Sequence, residues 1–74
     1  MTELEAKALF LKLSPRQQQV FGLIVSNAYS NKQIADALSI SVKTVETHRA
    51  AINRGLGTHS PLQLFKFAVT NNLV

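Results

Sequence analysis

A chain of 74 residues that is 46% hydrophobic, with four Phe and one Tyr as its aromatics, has room for one small helical domain and not for two. It holds no cysteine, which excludes a disulfide scaffold and thiolate-held zinc, and its two histidines cannot hold a metal alone, so no metal or cofactor is expected. The formal net charge of +4 is uneven: Glu3 and Glu5 balance Lys7 and Lys12, so the excess lies in residues 13–74, as suits a polyanionic partner.

The opening segment, MTELEAKALFLKL, carries acids where a signal peptide needs cations, and its apolar run is too short to span a bilayer. A cytoplasmic protein without membrane attachment is the expectation. Residues 1–12 are read as an N-terminal segment, helical over about 4–11, that precedes a domain over residues 13–74.

Ser14-Pro15-Arg16-Gln17 is a capping box with proline at the first helical position, and it predicts a helix over about 15–27. Val20, Leu23 and Ile24 form its core face, together with Leu13 just ahead of it. Ser30-Asn31-Lys32-Gln33 is a second box and starts a helix over about 31–38, with Ile34, Ala35 and Leu38 inward. The stretch Ala37-Leu38-Ser39-Ile40-Ser41 then leaves about three residues to turn the chain, with Ile40 as an apolar plug. That is the length of a helix-turn-helix turn, although a plain helical hairpin uses the same length. Ser41 caps a helix over about 42–55. Ser60-Pro61-Leu62-Gln63 repeats the first arrangement for a helix over about 61–71, with Asn72 as a left-handed cap and Leu73 as its hydrophobic contact.

At about 100° per residue, helix 42–55 turns Val45, His48, Ile52 and Leu56 to one side and Lys43, Thr47, Ala50 and Arg54 to the other. Glu46 and Asn53 share one shoulder, Thr44 and Ala51 the opposite one, and Arg49 lies at the edge of the packed face, where its stem can reach a phosphate. The outward face suits a DNA groove. Its residues Thr47 and Ala50 are small enough to let a backbone approach and can touch a thymine methyl, and Glu46 can accept from a cytosine amino group. Lys32, Lys43, Arg49 and Arg54 are the expected phosphate contacts. The competing reading makes Glu46 a solvated acid or the partner of Arg49, and for His48 the reading is a packed side chain with no chemistry.

The segment over residues 13–57 resembles the C-terminal DNA-binding domain of LuxR-type transcription regulators. The resemblance is carried by Ser30-Asn31-Lys32-Gln33-Ile34-Ala35, Leu38-Ser39-Ile40-Ser41, Thr44-Val45-Glu46-Thr47-His48-Arg49 and Leu56-Gly57. The form of the helix that follows Ser41 is most similar to the effector domains of FixJ-like and NarL-like response regulators. The resemblance implies an all-α, four-helix bundle with a helix-turn-helix, here with an added N-terminal helical segment. It further implies a reading helix in the major groove, a last helix that makes a homodimer, and double-stranded DNA as the partner. Thr44 joins Lys32, Lys43 and Arg49 among the residues that match the family's phosphate contacts, and Glu46, Thr47 and Ala50 match its base contacts. The sequence departs from the family at Gln17 and Gln19, where glutamates are usual; at Ala28, where glycine ends the helix; and at Gly55, where lysine is frequent. The last change removes a positive charge near the DNA backbone and loosens the end of the reading helix.

The last helix is apolar on two sides. Leu64, Phe67 and Ala68 form a stripe that can pack on the bundle, while Leu62, Phe65 and Val69 form a second that reads as a dimer interface unless Leu9 and Phe10 cover it. The leading function is sequence-specific binding of duplex DNA by a bacterial transcription regulator, in the cytoplasm and associated with the nucleoid. A sigma-factor-like promoter module is a related reading, weakened by the thin basic tract. The alternative is a protein-interaction module that pairs with a partner regulator through residues 61–71, its DNA binding vestigial. No acid/base pair, activated nucleophile or phosphate-cradling loop points to an enzyme. Two readings of the chain's extent stay open: a small regulator controlled by amount or partner, or part of a longer regulator with a sensory domain elsewhere.

Overall fold

Five helices and no strands make up the computed structural model, which describes residues 1–74: α1 (Glu3–Leu11), α2 (Pro15–Val25), α3 (Asn31–Leu38), α4 (Val42–Leu56) and α5 (Pro61–Thr70). The all-α class and the N-terminal helix are as the sequence leads one to expect. Every helix starts on a hydroxyl residue in extended conformation (Thr2, Ser14, Ser30, Ser41 or Ser60) whose side-chain oxygen accepts an orphan amide of the first turn. Each such cap is worth about 1 kcal/mol, a large share of the net stability of a domain this small.

Thr2–Glu5, Ser14–Gln17 and Ser30–Gln33 are complete capping boxes. Ser60–Gln63 is not: the Gln63 side chain accepts instead from the His59 amide at 2.7 Å. The reason is the entry angle. Ser60 has φ −154°, against −63° and −71° at Ser14 and Ser30, and this turns its own amide away and brings that of His59 within reach. At the other end of α5, Asn72 takes φ 56° while its amide donates to Val69 O and that of Leu73 to Ala68 O. This is a Schellman ending with Leu73 packed on the core, as expected.

α4 is the central element, packed against α2 and α3, with α1 laid on it and α5 packed on α2. Phe21, Ile34, Ile52, Val20 and Val45 are the largest fully buried side chains, and each contributes about 1.5–3 kcal/mol of burial. The expected core face of α2 does pack on the core, but it is wider than its spacing suggests. Val20 and Leu13 are buried, but Leu23 and Ile24 are only half-buried, and the deepest positions beside Val20 are Phe21 and Val25. α2 meets α3, α4 and α5, so one stripe cannot serve all its neighbours, and Phe21 is claimed by Phe10 of α1 in an edge-on contact with centroids 4.9 Å apart. No helix is long and apolar enough to cross a membrane.

Candidate nucleic-acid interface

The turn between α3 and α4 sets the direction in which α4 leaves α3. Ser39 ends α3 in the left-handed region at φ 56°, its amide directed to Asp36 O and that of Ile40 to Ala35 O, so two orphan carbonyls are satisfied within the turn. Ile40 then drops onto the core as the plug, and Ser41 restarts the helix by accepting from the Thr44 amide at 3.0 Å. A 2.9 Å hydrogen bond joins the Ser41 and Thr44 hydroxyls and fixes the first turn of α4. α4 runs for 15 residues, about 22 Å, and ends on Gly57 at φ 71°.

The burial pattern of α4 follows the helical wheel. Val45, Ile52 and Leu56 are buried and His48 half-buried on the inner side, while Lys43, Glu46, Thr47, Ala50 and Arg54 are exposed on the outer side. Thr44 and Arg49 are half-buried, at the edges between the two. Lys32 is exposed in the first turn of α3, the helix packed beside α4. The structure therefore gathers Lys43, Glu46, Thr47, Ala50 and Arg54 on the outward half of one helix, with Thr44 and Arg49 at its two edges. The Thr47 hydroxyl donates to Lys43 O at 3.1 Å, which spends its proton on the helix and leaves the methyl as its distinctive contact group. Glu46 is exposed, and the side-chain hydrogen bonds of this helix are made by Ser41, Thr44, Thr47 and Asn53 and not by its carboxylate.

Leu62, Phe65 and Val69 lie together on α5, exposed by 62%, 48% and 49%. Leu64 and Ala68 are buried and Phe67 half-buried on the neighbouring stripe. Leu9 and Phe10 pack against the core and leave the Phe65 stripe uncovered.

Two features lie beyond the sequence patterns. Asn53 is half-buried and accepts from the hydroxyl of buried Thr58 at 2.7 Å, while its carbonyl takes the Thr58 amide at 3.0 Å, tying the end of α4 to the loop before α5. Asn-x-x-x-x-Thr across a helix end is the only trace of this in the chain. Gly55 also sits against the α1–α2 elbow: a β-carbon there would stand 3.0 Å from Cδ2 of Leu13, so a side chain at this position requires the Leu13 tip to shift by a few tenths of an ångström.

Comparison with known proteins gives a consistent picture. The family described as "Bacterial regulatory proteins, luxR family" matches residues 11–68. The transcriptional regulatory protein MctR of Rhizobium johnstonii is 39% identical over 62 residues, covering 84% of this chain and 28% of MctR. The oxygen regulatory protein NreC of Staphylococcus aureus is 40% identical over 65 residues, covering 88% of this chain and 30% of NreC. The chain thus spans less than a third of the length of these relatives.

Proposed function

The chain belongs to the luxR family of bacterial regulatory proteins, and from that premise we propose that it binds duplex DNA sequence-specifically, with α4 in the major groove, as a homodimer joined through α5. The same membership makes it a DNA-binding regulator domain and not an enzyme. The observation that carries the proposal is the outward half of α4, where cations flank a strip of small residues and one unengaged carboxylate. A helix about 10–12 Å across fits a major groove about 12 Å wide. Lys32, Lys43, Thr44, Arg49 and Arg54 hold phosphates; Glu46, Thr47 and Ala50 read bases. Leu62, Phe65 and Val69 bury one another across a two-fold axis, which places two copies of α4 on symmetric half-sites. Such a protein acts in the cytoplasm at the nucleoid, under the control of a partner regulator or a sensory domain.

Selection from randomised duplexes by the purified chain tests this reading. The expected result is a two-fold-related motif with half-sites about one helical turn apart. Enrichment of no motif, with weak binding even at low salt, would reject it and favour the interaction module that pairs through α5, the reading its exposed apolar stripe supports.

A further inference from the structure

The geometry points to Lys12 as an additional phosphate-binding cation, supplied to the reading helix by the α1–α2 elbow. This rests on the DNA-binding reading above. A helix that fills a groove of its own width lays both shoulders against sugar-phosphate walls. On α4 the shoulder of Glu46 and Asn53 has Arg49 beside it, and the centre has Lys43 and Arg54. The opposite shoulder is the ridge Thr44, Ala51 and Gly55, and α4 places no cation there.

What stands on that ridge is the elbow. Leu13 Cδ2 lies 3.0 Å from where a Gly55 β-carbon would be, and Leu13 is buried. The elbow is held on both sides: the Leu13 amide donates to Phe10 O at 3.0 Å, and its carbonyl accepts from the Gln18 side-chain Nε2 at 3.1 Å. Lys12 directly precedes Leu13 and is exposed, so its backbone is held beside the last turn of α4 and its side chain is free to extend from there.

The acids of α1 are kept away from it. Glu5 is occupied by the Thr2 amide at 2.9 Å, and Glu3 accepts from Asn72 at 3.2 Å, both at the far end of α1. That end is about 10 Å from Lys12 along the axis, roughly one Debye length at physiological salt. The elbow therefore carries an unneutralised positive charge although residues 1–12 are neutral as a whole.

The test measures binding of the full chain to a random-sequence duplex of about 20 base pairs across salt concentration, with helical content checked by circular dichroism. Lys12→Gln is expected to make the slope of log K against log salt shallower by about one, the loss of one phosphate contact, and Lys12→Arg to keep it. Lys66→Gln, on α5, is the control for a general change of net charge and should leave the slope unchanged. An unaltered slope in Lys12→Gln, with a shallower one in Lys43→Ala, would overturn the assignment while leaving the DNA-binding reading intact. An unaltered slope in both would overturn the two together.

Discussion

α4 and α5 are both amphipathic helices that bury one face in the same core, yet their outward faces are made of opposite materials. On α4 it is Lys43, Glu46, Thr47, Ala50 and Arg54; on α5 it is Leu62, Phe65 and Val69. A cationic face with small residues gains by releasing counterions and by hydrogen bonding in a groove, and it loses little by standing in water. An apolar face gains only by being covered. Exposure alone therefore does not identify a partner; the chemistry of the exposed atoms is what leads us to propose DNA for one face and a protein surface for the other.

The substitution expected to act most strongly is Phe65→Glu. A buried carboxylate in place of an aromatic ring should weaken self-association at least 100-fold by sedimentation while leaving the helical circular dichroism intact. An unfolded variant would place Phe65 in the core and break the comparison on the α5 side. Glu46→Ala should shift the preferred operator bases by about 1–3 kcal/mol of discrimination, read by repeating the selection. Equal loss of binding on every sequence would end its base-reading role. Arg49→Ala should weaken binding to all duplexes alike, about tenfold, and flatten the salt dependence.

Two smaller effects should spare both faces. Ala28 holds φ 53°, a conformation that costs an L-residue about 1–2 kcal/mol, so Ala28→Gly should raise thermal stability by about 1 kcal/mol without moving either binding curve. The Thr2 backbone amide, and then its hydroxyl, hold the Glu5 carboxyl below the ordinary carboxylate range. A depressed pKa in the fold contributes stability above the ordinary value and loses it as pH falls through the lowered one. Protection of the α1 amides, taken relative to the intrinsic exchange rate at each pH, should therefore fall as pH drops below the ordinary carboxylate value, before that of α4 or α5.

Helix starts are legible in this chain because capping is settled within four residues: Ser14–Gln17 and Ser30–Gln33 behave as local chemistry dictates. The same signal at Thr2-Glu3-Leu4-Glu5 marks α1 more sharply than its apolar spacing does. The division of α4 into inner and outer halves is legible for a similar reason, since its apolar residues recur at the helical period and its polar ones fall between them. What escapes the sequence depends on several helices at once. Phe21 outranks Leu23 because α1 brings Phe10 to it, Gly55 matters because Leu13 arrives there, and Gln63 changes partner because Ser60 enters α5 at a wider angle.

Whether α4 is the face that meets DNA is decided by a backbone amide map of the chain by NMR with and without a cognate duplex. The largest shifts are expected at Lys32, over Lys43 to Ala50 and at Arg54, with residues 61–70 perturbed only as far as DNA promotes dimer formation. Shifts concentrated on α5, with the outward face of α4 unmoved, would contradict it.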